Sequence, residues 1–298
     1  DISTISQPIT SKPVKRKITK TKTITVPFQN NSGVVKTFTG PEEQAVSLIK
    51  KVSLRAPSNN GLCYYPEETD KIQITLHHTA ILGASVERVI KSFTRKSNHV
   101  STHFVINRDG DYDQLFPLKY WGNHIGSERK GNSYLQKSTI SIELEGMGYL
   151  KYVGRRNSST KFTKNSKFKQ GSRIVTYEQL AGGQPDPAVA KPYKMKSDGS
   201  LVEAINYKGY PYYHAYTKAQ LDRLRQVLKQ IQKEYPNITI GSQYSGGNGF
   251  YEQFPSKKKV AETAFSFNRG TFTHNSYRTD KSDVFPQKEL IELLQEFS

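Results

Sequence analysis

His77 stands at the end of an alternating run, residues 72–80 (IQITLHHTA), in which Ile72, Ile74 and Leu76 interleave with Gln73 and Thr75. Period two with one apolar face is the pattern of a half-buried strand. Such a strand carries its imidazole to the end of a sheet, where ligands bind in open α/β folds. Residues 139–145 (TISIELE) alternate in the same way, with Ile140, Ile142 and Leu144 on one face and Ser141, Glu143 and Glu145 on the other. Carboxylates on the polar face of an apolar strand suit proton transfer. Late in the chain, residues 270–286 (GTFTHNSYRTDKSDVFP) bring His274, Lys281 and Asp283 close together. Zinc takes His nitrogen and carboxylate oxygen, and its catalytic sites use three protein ligands and leave a position for water. Two histidines and an aspartate meet that requirement, and water activated there serves hydrolysis near neutral pH. The same residues admit plainer readings: His77 as a satisfied buried histidine, and Lys281 with Asp283 as a surface ion pair worth little.

The elements that must position these groups are readable in part. Ser85 is an N-cap for a helix whose stripe is Val86, Val89, Ile90 and Phe93. Residues 102–108 and 112–116 flank Asp109-Gly110, a hairpin signal. Residues 120–126 (YWGNHIG) form an aromatic loop with Trp121 and His124. Thr217 opens a capping-box pattern with Gln220, and Leu221, Leu224, Val227, Leu228 and Ile231 follow at helical spacing until Pro236. Residues 238–240 read as a short strand, 241–270 as loop, and 289–297 as a last helix. His78 points away from His77 by strand alternation, and His103 reads as structural. Tyr207, Tyr210, Tyr212, Tyr213 and Tyr216 serve either a core or stacking on sugar rings.

The ends and the middle are basic. Residues 1–40 hold seven Lys or Arg and one acid, Asp1, and read as an arm followed by a hairpin at 23–38. A short helix follows Pro41, carrying Ala45, Leu48, Ile49 and Val52 on one face. Residues 151–173 hold eight basic residues and no acid, and the weakly patterned stretch 150–205 reads as an insertion with small strands such as 173–177. The domain division is therefore 1–60 for the extension and 61–298 for the body. The 298 residues carry a formal net charge of +18, which calls for an anionic partner: nucleic acid, an anionic membrane or an acidic wall polymer. No nucleic-acid-binding motif is present, which argues against the first. No apolar run is long enough to span a membrane. Cys63 is the one cysteine, a semi-buried thiol in this reading, so an intrachain disulfide and a Cys-based zinc cluster are excluded. A chain opening on Asp1 without a signal-peptide pattern points to a processed product or part of a longer protein.

Five blocks, ITLHHTA, VSTHFVINRDGDYDQLFP, STISIELEG, YTKAQLDRLRQVL and the late H…KSD…P, together resemble the zinc N-acetylmuramoyl-L-alanine amidases. This type-2 amidase family also includes the peptidoglycan recognition proteins. The resemblance spans residues 70–145 and 205–297. It implies an α/β fold, a mixed central β-sheet flanked by helices, here with an N-terminal extension and a basic insertion. It implies Zn2+ held by His77, His274 and Asp283, with Glu143 as general acid/base and Lys281 as transition-state stabiliser; Glu145, on the same strand face as Glu143, is the substitute base. Thr102 stands where other branches carry a catalytic tyrosine. His124 and Trp121 match the family's Trp-His loop, with two extra residues between them, and are expected at the substrate. The implied partner is bacterial peptidoglycan, cut between N-acetylmuramic acid and L-alanine. An inactive peptidoglycan-recognition module is the alternative. The motifs fit a phage lysin and a bacterial autolysin equally.

Overall fold

A five-stranded mixed sheet carries the residues singled out above. Its spatial order is β14 (Gly270–Thr273), β3 (Gln73–His78), β6 (Thr139–Leu144), β4 (Phe104–Ile106) and β5 (Tyr112–Gln114). The first four run parallel and β5 closes one edge antiparallel. Parallel neighbours need long crossovers. Helix α1 (Val86–Phe93) lies between β3 and β4, and α2 (Asn132–Ser138) precedes β6. The structure, a computed structural model, describes residues 23–26, 36–39, 64–65, 67–83, 85–93, 100–126, 132–154, 161–241, 247–255, 260–266 and 269–298.

The two faces of this sheet differ in chemistry. Ile74, Leu76, Phe104, Ile106, Ile140, Ile142 and Leu144 are fully buried against α4 (Lys218–Glu234) and α8 (Lys288–Gln295). Each such side chain contributes about 1.5–3 kcal/mol by leaving water. Thr217 caps α4 by accepting the Gln220 N–H at 3.1 Å. Gln220 does not close the expected capping box. Its side-chain amide donates instead to the carbonyls of Ile106 and Glu145, both at 3.0 Å, and ties the helix to the sheet. The opposite face is polar. Gln73, Thr75 and His77 lie beside Thr139, Ser141 and Glu143 in parallel register. The Tyr277 hydroxyl donates to Gln73 at 2.9 Å and accepts from Thr75 at 3.2 Å. Ile125, Leu135, Ala261, Ala264, Phe272 and Tyr277 form a small apolar cluster over this side.

A second sheet, antiparallel throughout, orders β10 (Val189–Ala190), β13 (Tyr212–His214), β7 (Tyr149–Tyr152), β8 (Lys167–Gln170) and β9 (Arg173–Thr176). It takes up much of the stretch 150–205, together with the hairpin of β11 (Tyr193–Met195) and β12 (Leu201–Glu203). Leu150, Phe168, Val175 and Tyr212 pack beneath it with Met147 and with Leu180 of α3 (Tyr177–Ala181). The tyrosine-rich segment is mainly core: Tyr207, Tyr212, Tyr213 and Tyr216 are buried, and Tyr213 stacks on Phe285 at 4.4 Å.

Two sequence expectations need correction. Residues 238–240 form no strand: Ile238 N–H closes a turn onto the Tyr235 carbonyl at 3.0 Å, and Ile238 and Ile240 are buried in the main core. Residues 241–270 are not bare loop, since α5 (Gly247–Gln253) and α6 (Glu262–Phe265) lie there. Near the N-terminus, β1 (Thr23–Val26) pairs antiparallel with β2 (Lys36–Thr39). The arm before them, the expected helix after Pro41 and Cys63 lie outside the described residues. No helix among the described residues is long and apolar enough to cross a membrane.

Candidate active site

Three adjacent parallel strands end side by side, and each delivers one chemical group. His77 closes β3, Glu143 pairs with it in register on β6, and His274 opens the short helix α7 (His274–Tyr277) directly after β14. Asp283 arrives from the following loop, which Asn275 holds back onto α7. Asn275 N–H donates to the Asp283 carbonyl and its side-chain amide to the Val284 carbonyl, each at 3.0 Å. His77, His274 and Asp283 are all buried.

Three ligand atoms converge there. His77 Nδ1 lies 3.2 Å from His274 Nδ1 and 3.5 Å from Asp283 Oδ2, and His274 Nδ1 lies 3.0 Å from that oxygen. A tetrahedral zinc with ligands at about 2.0–2.1 Å needs ligand atoms about 3.3 Å apart. Tautomers follow from the outer partners. His274 Nε2 sits 2.8 Å from the Ile125 carbonyl, an acceptor only, so Nε2 carries the proton and Nδ1 turns a lone pair inward. His77 Nε2 lies 3.1 Å from His124 Nδ1. The His77 tautomer that donates there also turns its Nδ1 lone pair inward. Two lone pairs and a carboxylate oxygen facing one another repel unless a cation lies between them, so the donor set fits a divalent metal with nitrogen and oxygen preference.

The surroundings favour that charge pattern. Burial lowers the pKa of His77 to about 4, against the opposing pull of Asp283, so the ring is neutral and ligand-competent at neutral pH. Burial pushes the Asp283 carboxyl up, but His274, with His77 and His78, outweighs it and holds Asp283 well below the usual carboxylate range. Glu143 shifts the other way. Burial, and then the Asp283 charge, raise it well above the usual range, with Lys281 opposing. Two carboxylates in one site are thereby driven apart, the pattern that separates a ligand from an acid/base.

A cavity of about 390 Å³ opens over these groups. His77, His274, Asp283, Glu143, Lys281 and His124 all line it. His124 is buried, its backbone N–H donates to Gln136 at 2.9 Å, and its Nε2 faces no partner among the described residues. Trp121, expected at the substrate, does not line the cavity. Tyr65 stacks on its ring at 3.8 Å, the Lys137 ammonium sits over it, and its indole N–H donates to Glu67 at 3.0 Å. Gly122 and Asn123, the two extra residues, carry His124 inward and leave Trp121 outside. Glu145 also leaves the site. Its carboxylate accepts the N–H groups of Gly83 at 3.0 Å and Arg108 at 3.2 Å, beyond the end of β6. His103 is structural as expected, between Ser141 and the Tyr120 carbonyl.

Sequence reasoning missed His78, Tyr149 and Gln170 on the cavity wall. His78 is the last residue of β3, so alternation no longer holds it to the far face. It packs against Gly148, where a Cβ would come within 2.6 Å of its ring. Tyr149 and Gln170 belong to the second sheet and had no motif to mark them. The larger cavity, about 820 Å³, lies against α4 and α8; Tyr212 and Tyr216 line it, but His77, Glu143, His274, Lys281 and Asp283 do not.

A family model described as N-acetylmuramoyl-L-alanine amidase matches residues 70–248, which include His77, His124 and Glu143 and stop before His274. The chain is similar to the solved N-acetylmuramoyl-L-alanine amidase LysC from Clostridium intestinale URNW at 12% identity and a TM-score of 0.35, over 80% of this chain and 93% of that one. It is also similar to AmpDh3 from Pseudomonas aeruginosa in complex with anhydromuramic pentapeptide, at 16% identity and a TM-score of 0.35, over 80% and 66%. A selenomethionine derivative of AmpD gives 15% identity and a TM-score of 0.32, over 76% and 85%. No curated protein matches.

Proposed function

The chain belongs to the N-acetylmuramoyl-L-alanine amidase family, and on that premise we propose that it hydrolyses the amide between N-acetylmuramic acid and L-alanine in peptidoglycan with Zn2+ at His77, His274 and Asp283. The observation that carries this reading is the inward-facing set of His77 Nδ1, His274 Nδ1 and Asp283 Oδ2, with Glu143 in register beside His77. Zinc held there would supply Lewis acidity to the scissile carbonyl and the attacking water.

The protein's own groups carry the protons and orient the substrate. Glu143, its pKa raised by burial and the Asp283 charge, accepts a proton from the water as the new C–O bond forms. It returns that proton to the departing nitrogen as the C–N bond breaks. The products are the muramic carboxylate and a peptide with a free L-alanine amine. Lys281 places its ammonium where negative charge develops on the carbonyl oxygen. His124 offers its Nε2–H, free in the tautomer that accepts from His77, to the bound substrate. Thr102 takes no part in proton transfer in this scheme, since its hydroxyl donates to the Phe104 carbonyl at 3.1 Å.

The test is mass spectrometry of purified peptidoglycan after digestion by the zinc-loaded protein, beside a chelated sample and Glu143→Ala. Stem peptides with L-alanine N-termini and intact glycan strands are expected from the zinc-loaded wild type alone. Undiminished release by Glu143→Ala would remove that residue from its role. Wall binding without release from several wall chemotypes would make the protein a recognition module.

A further inference from the structure

The face of the second sheet that carries Tyr149 begins at the cavity and leads away from it along β7. Tyr149, at the start of β7, lines the cavity. Alternation places Lys151 on the same face as Tyr149, about 6–7 Å further along the strand. Lys151 stands directly opposite Lys169 in the antiparallel register. Like charges opposed on a sheet cost stability. Both lysines are exposed, and among the described residues neither takes part in an ion pair. Tyr210 stacks on Tyr149 at 3.9 Å and lies 5.5 Å from the Lys151 ammonium, so an aromatic surface and a cation adjoin at the cavity rim.

We propose that this face extends the substrate cleft and binds the free carboxylates of the stem peptide through Lys151 and Lys169, beside the Tyr149–Tyr210 pair. This rests on the amidase reading for the identity of the peptide. A carboxylate, rather than a polyphosphate of the wall, is favoured because the lysines continue the wall of the cavity that would hold the scissile bond. A peptide leaving that bond spans about 3.3–3.6 Å per residue and reaches them within a few residues. An anion seated between the two lysines would relieve their mutual repulsion.

The experiment uses muramoyl pentapeptide with free carboxylates and the same peptide fully amidated. Wild type, K151Q/K169Q and the control K164Q are compared, Lys164 being an exposed partner of Glu178 on another segment. The double variant should raise KM for the free-acid peptide about fivefold with kcat unchanged. The amidated peptide should show the raised KM with every form, and K164Q should match wild type. Equal effects on both peptides, or none, would overturn the proposal. If the wild type cleaves neither peptide, the amidase reading fails, and calorimetric titration of the same peptides into wild type and K151Q/K169Q still decides the sheet. Weaker binding of the free acid alone by the variant supports it, and unchanged binding overturns it. A loss seen only on walls that retain teichoic acid would overturn it in favour of a polyphosphate partner.

Discussion

His214 is held neutral by both of its neighbours: Nδ1 accepts the Met147 N–H at 3.0 Å and Nε2–H donates to the Leu180 carbonyl at 2.8 Å. Burial, and then Arg108, lower its pKa to about 3. The unfolded chain takes up this proton near pH 6.5, while the folded chain resists it to about pH 3. The contribution is therefore complete above pH 6.5 and is lost as pH falls through that window. Between pH 6.5 and 5 the loss is about 2 kcal/mol. Urea midpoints at pH 7 and 5 should fall further for wild type than for His214→Gln, and equal falls would exclude this linkage. Within the site, Glu143→Gln should lower kcat by about 10²–10⁴ at unchanged KM. Lys281→Met should cost about 10²–10³ in kcat. His77, Glu143, His274, Lys281 and Asp283 were singled out by their places in the blocks that resemble the amidase family, their spacing alone being weak evidence, and the structure brings all five to one cavity. The place of Trp121 was not legible, because a one-dimensional motif does not show that Tyr65, Glu67 and Lys137 already occupy its indole.

Helix α4 was legible as an element, since five apolar residues repeat at its period and Thr217 marks its start. What the sequence could not show is where Gln220 points. Gln220→Ala should remove both of its sheet contacts and lower stability by about 1–3 kcal/mol, read as a shift in the denaturant midpoint at unchanged slope. Helix α5 escaped because Gly247-Asn248-Gly249 is poor helix sequence. Tertiary bonds support it instead: the Gln253 carbonyl at its end accepts from Thr273 at 2.6 Å and Ser276 at 3.1 Å. The short apolar run at 238–240 fits a strand or a buried turn equally by pattern. Gly148 is required where the two sheets meet, with φ +81° and His78 in the space a side chain would take. Gly148→Ala should therefore disturb His78 and reduce turnover more than a surface glycine substitution does, measurable against Gly171→Ala, whose added Cβ meets nothing within 4 Å.

At the scale of the whole molecule, metal and fold should be coupled, because the donors come from segments that only the native state brings together. Zinc at a hundredfold excess over its Kd should stabilise the protein by about 2.7 kcal/mol, visible as a rise in Tm that a chelator reverses and Asp283→Ala abolishes. The net charge of +18 was legible as a sign of an anionic partner, but not which face presents the charge, since cross-strand register decides that Lys151 meets Lys169. Strand order has a further consequence. β14 lies beside β3 in space, yet nearly 200 residues separate His77 from His274 along the chain. The ribosome delivers the chain from its N-terminus at about 5–20 residues per second. A nascent polypeptide short of residue 274 thus holds His77 and Glu143 but neither His274 nor Asp283. The order of synthesis therefore completes the donor set last, because the sheet cannot bring His77, His274 and Asp283 together before β14 and the loop after it have been made.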